Sequence, residues 1–227
     1  MLWQEAAVRA NLRNRDGKRV FYLGKGDQLT SGARDWLQRE RIDILPAEQA
    51  RPSRYRLLSG GFLEEKPEHM THLNGDVLVP KNHPRICFRG KMDTLEGELI
   101  LCQLADPALV APVGEILHLA RQLIRWDVLE EPAEEITLCG MTEVEQRKRS
   151  HFPQEYYSQP HFMPEAADGP VIARLNRARC AAREAELAAV NAFQDREGNP
   201  TRTDLLQALN RMSSMLYILM IQWKSKL

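Results

Sequence analysis

Leu205-Leu206-Gln207-Ala208-Leu209-Asn210-Arg211-Met212-Ser213-Ser214-Met215-Leu216-Tyr217-Ile218-Leu219-Met220-Ile221-Gln222-Trp223 is the stretch that decides the fold. Leu205, Leu209, Met212, Leu216, Leu219 and Trp223 recur at helical spacing, while Tyr217, Ile218 and Met220 leave little polar face. A helix that is apolar nearly all round is buried, in a bundle centre or an oligomer interface. Asn199 is expected to cap it, with Pro200 in its first turn. Asn210 and Arg211 interrupt this apolar helix, and a buried charge without a partner is costly, so they must meet a neighbour or an anionic ligand.

Working outward, Val171, Leu175, Ala178, Ala182, Ala185, Ala189 and Ala192 form a narrow stripe of mostly small residues on a second long helix, which permits close helix–helix approach. Beside that stripe lie Arg179, Arg183 and Glu186 at i, i+4 and i+7, on one helix face. Two arginines at i, i+4 repel unless an anion or carboxylate lies between them. For most such pairs a solvated face with a surface salt bridge is the simple explanation; the burial expected of the last helix favours an anion site instead. Further upstream, Met92, Leu95, Leu99 and Cys102 mark a helix from about residue 90, and Val113, Ile116, Leu117, Ala120, Leu123 and Ile124 mark another that runs to about Leu129. The expected fold is mainly α, an antiparallel bundle of four or five helices with a small N-terminal α/β appendage. Residues 132–170 read as a short helix near 142–150 followed by irregular chain, the kind of segment that serves as a lid or binding loop.

The N-terminal residues 1–45 read as a small α/β segment, with a helix at Glu5–Leu12, strands at Arg19–Leu23 and Ile42–Leu45, and a helix capped by Thr30 or Ser31. Residues 46–70, with their prolines, Gly60-Gly61 and many charges, read as a linker, leaving 71–227 as the bundle. The chain has 227 residues, 43% hydrophobic and 27% charged, with zero formal net charge. That composition suits a soluble domain and argues against a general nucleic-acid or anionic-membrane binder. Cys87, Cys102, Cys139 and Cys180 are scattered without zinc-ligand spacing, which suits a reducing, cytoplasmic setting. His69 and His72, three apart, lack the companion ligands that a metal site needs. No leader pattern opens the chain, and the apolar run Met215–Ile221 is too short to span a membrane.

Several segments together resemble the ATP:corrinoid adenosyltransferases, most closely the ethanolamine-utilisation type. Met70-Thr71-His72-Leu73-Asn74-Gly75-Asp76 is similar to that type's Thr-His-Leu segment. Lys81-Asn82-His83-Pro84-Arg85-Ile86 and Met92-Asp93-Thr94-Leu95-Glu96 resemble propanediol-type motifs. Phe162-Met163-Pro164-Glu165-Ala166-Ala167-Asp168-Gly169 and Leu206 to Ser214 follow the ethanolamine type closely. The chain departs from the family in three places. A Cys-Cys-x-x-Cys cluster is missing before Thr71, so no metal site of that kind is expected. The propanediol-type Arg-Arg-Ala-Glu-Arg motif is Arg183-Glu184-Ala185-Glu186-Leu187, and the aspartate closing another motif is Ser214. Leu29 to Ile42 is similar to a segment of bacterial microcompartment proteins, which implies encapsulation or docking.

The resemblance implies transfer of the 5′-deoxyadenosyl group from ATP, with Mg2+, to cob(I)alamin. It implies catalytic roles for Arg183, Asp93 and Lys81, with Arg183 and Asp93 pairing across the interface of a homotrimer. It assigns ATP binding to Thr71, Lys81, Arg183, Glu186 and Asn210. Phe152, Tyr156 and Phe162 are the candidates for an apolar wall that strips the lower axial ligand from cobalt. A second reading, motivated by the missing cysteines and altered arginines, is a non-catalytic corrinoid carrier or microcompartment scaffold; a third is a plain helical interaction module.

Overall fold

The computed structural model describes residues 1–15, 17–50 and 55–226. Its contacts divide the chain into two compact units, Met1–His83 and Pro84–Leu227. In the first, β1 (Leu2–Trp3), α1 (Glu5–Ala10), β2 (Arg13–Arg15), β3 (Lys18–Leu23), β4 (Gln28–Leu29), α2 (Ser31–Arg39) and β5 (Asp43–Pro46) are followed by β6 (Tyr55–Leu57), β7 (Phe62–Leu63), β8 (Met70–Asn74) and β9 (Val77–Pro80). Seven of these strands form a mixed sheet in the order β5-β3-β2-β7-β6-β9-β8. Thr30 caps α2 by accepting the N–H of Ala33 at 3.3 Å, and α2 buries Ala33, Trp36 and Leu37 with Val8, Phe21 and Ile42.

The sheet corrects the expected linker. Of residues 46–70, residues 51–54 lie outside the described residues, but β6 and β7 lie within the sheet, and the unit closes at His83. Gly60 and Gly61 form a tight turn rather than a flexible joint: both have positive φ, at 91° and 92°. A Cβ on Gly61 would come 3.1 Å from the Leu12 carbonyl oxygen, so only glycine suits that approach. Strands of two or three residues carry too few side chains for an alternating pattern, which is why pairing, not periodicity, defines them.

The second unit contains α3 (Pro84–Ala105), α4 (Val110–Leu129), β10 (Thr137–Leu138), β11 (Met141–Thr142), α5 (Glu143–His151), α6 (Pro153–Tyr157), α7 (Gly169–Ala192) and α8 (Thr203–Lys224). The protein is thus mainly helical with a smaller sheet region. One core joins α3, α4, α7 and α8, and it includes Met92, Leu95, Leu99, Cys102 and Ala182 with Leu209, Met212 and Leu216. Lys91 pairs with Glu184 at 2.9 Å and Arg177 with Glu98 at 3.1 Å, an order that makes α3 and α7 antiparallel. α3 starts at Pro84, a residue suited to the first helical turn, earlier than the periodicity implied.

α8 starts later than expected. Asp195 Oδ1 accepts the N–H groups of Glu197 and Asn199 at 3.0 and 2.8 Å, and Pro200 bridges to Gln194. Asn199 is therefore held in a side-chain-stabilised turn and does not cap the helix. The irregular stretch also contains α6, a short helix with proline in its first turn.

At one end of this unit, fully buried Asp127 accepts from Arg85 Nε at 2.7 Å and from Arg89 Nε at 2.6 Å. Its carbonyl oxygen accepts from Arg85 Nη2 at 2.6 Å. The motif arginine Arg85 thus locks α3 to α4. Nearby, Arg202 donates to Asp204, as does the Ala133 N–H at 2.9 Å. The Arg202 guanidinium, first among the causes, holds the Asp204 carboxyl down to about 2.

Two stability experiments follow from these pairs. Asp127→Ala should lower unfolding free energy by about 3–5 kcal/mol, because two largely buried arginines lose their carboxylate; a urea titration at neutral pH measures it. Asp204 has a depressed folded pKa, so its contribution is present above its unfolded value of 3.8 and is lost as pH falls toward about 2. Asp204→Asn should cost about 1–2 kcal/mol near neutrality and flatten the acid limb of a thermal-melting profile between those values.

Candidate active site

α7 and α8 carry their polar residues on facing turns, and the loop after α6 closes against them. The resulting cleft of about 300 Å3 is lined by Ser150, His151, His161, Arg179, Arg183, Asn210, Ser213, Ser214 and Tyr217. The lining consists of guanidinium, imidazole, amide and hydroxyl groups without a carboxylate. Ala181, Ala182 and Ala185 bury the opposite face of α7, and this holds the arginine face toward the cleft.

Asn210 is fixed at both ends of its amide. Its Nδ2 donates to Glu186 Oε1 at 3.1 Å, and its Oδ1 accepts from Arg211 Nη2. Arg211 is buried, at 7% relative exposure, and its Nη1 donates to the Glu143 carbonyl oxygen at 3.5 Å. Burial, then the positive charge of Arg147, pulls the Arg211 pKa down. Ser213 Oγ donates to the Asn210 carbonyl oxygen at 3.0 Å. Glu186, Asn210 and Arg211 form a chain that links α7 to α8, and the last contact reaches α5.

A second cluster surrounds Tyr217. The His161 ring lies parallel to the Tyr217 ring, with centroids 5.8 Å apart, and Phe162 stacks on Tyr217 at 6.3 Å. His161 Nε2 lies 3.2 Å from the His151 carbonyl oxygen. A carbonyl can only accept, so Nε2 carries a proton, and Nδ1 lies 3.0 Å from the Tyr217 hydroxyl. Arg179 Cζ sits over the same tyrosine ring at 5.5 Å.

The structure brings Arg183 and Asn210 into one cleft, with Glu186 bonded to Asn210 and Phe162 stacked on the cleft residue Tyr217. Arg183 is exposed and has no hydrogen-bond or ion-pair partner among the described residues. Asp93 is exposed on α3 and makes no ion pair with Arg183 within the chain. Phe152 is exposed, and Tyr156 lies instead beneath Lys148 and Arg149. Thr71 on β8 and Lys81 after β9 belong to the N-terminal unit, where Lys81 pairs with Glu68 at 3.0 Å. His161, Ser213 and Tyr217 were not singled out by sequence reasoning. The parallel stack of His161 depends on loop geometry; the Tyr217 hydroxyl on an apolar helix was the available signal. Among the described residues, no group of three or more His, Cys, Asp and Glu side chains could hold a metal ion.

This geometry defines a helical protein with a cationic cleft. A family profile described as "Cobalamin adenosyltransferase" matches residues 62–223, and the chain belongs to that family. It is similar to the corrinoid adenosyltransferase EutT of Salmonella typhimurium strain LT2, 30% identical across 96% of this chain and 90% of the relative. The corresponding protein of Escherichia coli K12 is 29% identical over the same shares. No solved structure matches the chain. The family makes the protein a transferase enzyme.

Asn210→Ala removes the anchors of both Glu186 and Arg211 and leaves a buried guanidinium short of an acceptor. Unfolding free energy should fall by about 1–3 kcal/mol in urea titrations.

Proposed function

We propose that the protein transfers the 5′-deoxyadenosyl group of ATP to cob(I)alamin, serving a cobalamin-dependent pathway such as ethanolamine utilisation. Cobalt(I) attacks ribose C5′; the Co–C bond forms as the C5′–O bond breaks, and the electron pair leaves with the triphosphate. The nucleophile needs no deprotonation, so the protein's tasks are alignment and stabilisation of charge growing on the leaving phosphate. The observation that carries this reading is the cationic cleft in which Arg183 meets no carboxylate of its own chain among the described residues. Arginine suits phosphate because its donors form a planar fork.

In this reading Arg183 and Lys81 contact the polyphosphate, Thr71 the phosphate or sugar, and Glu186 and Asn210 the nucleoside. Asp93 pairs with Arg183 of a neighbouring subunit in a homotrimer built from antiparallel four- to five-helix bundles. Asp93 and Arg183 are both exposed and are not paired with each other within one chain, as such an exchange requires. Of the three aromatic residues, Phe162 is favoured for the corrin wall because it adjoins the cleft through Tyr217. The lining has no carboxylate for Mg2+, so the cation enters with the triphosphate oxygens, and no step is assigned to it. No helix among the described residues is long and apolar enough to cross a membrane; cytoplasmic residence, within a microcompartment where one is formed, fits the reading.

Purified protein supplied with chemically reduced cobalamin and Mg-ATP should consume cob(I)alamin absorbance and form a cobalt–carbon bond. Arg183→Ala should lower kcat/KM by at least about a hundredfold. Corrinoid binding without conversion by the wild type would favour the carrier reading, and normal turnover by the variant would remove Arg183 from the mechanism.

A further inference from the structure

The sheet of the N-terminal unit has one face that its helices cover only in part. Strand register sets Arg19 beside Asn14, Asn14 and Tyr55 beside Leu63, and Leu57 beside Leu78. Paired residues share a face, and so do residues two apart on a strand, which adds Phe21. At the β3 end, α1 and α2 bury that face through Val8, Ala33, Trp36 and Leu37. Farther along, Leu63, Met70 and Leu78 form a separate apolar cluster to which neither helix contributes.

Two depressions of about 470 and 380 Å3 share Asn14, Leu57, Ser59 and Leu63 and so make one groove. One end is apolar, with Met70, Val79, Pro80 and Leu58, the last 60% exposed. The other end holds Arg9, Arg13 and Arg19. Among the described residues no carboxylate lines either end. Arg9 lies over the Trp36 ring at 4.6 Å and Arg13 over the Tyr22 ring at 5.4 Å, contacts that restrict both guanidiniums before any ligand arrives. Arg9 also pairs with Glu5 and Arg19 with Glu40, both outside the groove. Such half-exposed pairs are worth little and leave other guanidinium donors over. The Gly60-Gly61 turn, fixed by its approach to Leu12, walls the basic end. The family profile begins at residue 62, so the three arginines, Trp36 and Leu58 lie outside the sequence it matches.

We propose that this groove docks a short segment of a partner protein in which apolar side chains are followed by carboxylates. The apolar end takes the first part, and Arg9, Arg13 and Arg19 take the second. Apolar anchors supply the buried contact, while the planar fork of arginine fixes register on a carboxylate. Nucleic acid fits less well, because it has no use for the apolar end and the chain has zero formal net charge to attract it.

The test selects random phage-displayed peptides on the full chain and measures the enriched ones by fluorescence anisotropy. Enriched peptides should combine leucine-like side chains with aspartate or glutamate. The double variant Arg9→Ala, Arg19→Ala should weaken their binding about tenfold or more. Leu58→Glu should also weaken it, although every cation remains. Arg183→Ala should bind the peptides as the wild type does, which separates this groove from the cationic cleft of the helical unit. Melting curves establish that each variant is folded, and exposed Leu58 provides the test if the arginine variant is not. Enrichment of basic or uncharged peptides, no enrichment at all, or unchanged affinity in the folded variants overturns the inference. So does a single-stranded oligonucleotide that binds through the same arginines while no peptide is enriched. If the wild type forms no cobalt–carbon bond, the functional reading fails and this inference stands, because it is read from peptide binding. If the wild type forms that bond while the variants keep full peptide affinity, the reverse holds.

Discussion

Helix α8 is enclosed by its neighbours along most of its length, and each polar group it buries must find a partner. α7 covers most of one side, and α4, α5 and α6 cover the rest. Its residues Leu205, Leu209, Met212, Met215 and Leu216 are fully buried. Against that background Asn210 and Arg211 cannot be incidental. Arg211 donates to Asn210 and to a carbonyl of α5, and Asn210 donates to Glu186 of α7, while the buried Arg211 Nε has no partner among the described residues. The same constraint that buries the helix therefore aligns the amide at the floor of the cleft. Ser213, one turn on, is tied to the Asn210 carbonyl, so the polar edge of α8 is ordered before any ligand arrives.

The arginines divide into two groups. Arg85 and Arg89 are held by Asp127, Arg177 by Glu98 and Glu184, and Arg202 by Asp204. These pairs join helices. Arg179 and Arg183 share one face of α7 and have no carboxylate between them. Two neighbouring guanidiniums repel, and the fold tolerates this because Ala181, Ala182 and Ala185 anchor the other face. Stability bought by close small-residue packing on one side of α7 permits an unneutralised pair on the other.

Much of this was legible in the sequence, because buried helices impose a period. The stripes on α3, α4, α7 and α8 were read from spacing, and most of their members are buried. The N-terminal sheet was legible only in part. β3 and β5 have the alternation or apolar run that marks a strand, whereas β6 and β7 exist through their pairing and were read as linker. The turn at Gly60 and Gly61 resembled flexibility for the same reason. In the cleft, Arg179, Arg183, Glu186 and Asn210 were visible as polar breaks in apolar faces. His161 was not, since its stacking on Tyr217 depends on how the segment after α6 folds back. Arg85 illustrates the converse limit. Its motif pointed toward a nucleotide, while its partner Asp127 lies 42 residues away on α4, a pairing no local pattern reveals.

Chemistry that starts from a metal nucleophile explains why such a cleft can be so poor in acids and bases. A general base there would have no proton to take. The one imidazole of the lining bound on both sides, His161, has one nitrogen on a backbone carbonyl and the other on Tyr217. These two contacts hold its ring parallel to that of Tyr217. With that ring fixed, Arg179 on it and Phe162 against it are fixed in turn. On the proposed reading, the cationic edge of the cleft and the apolar surface that faces the corrin therefore meet at a single aromatic residue, Tyr217.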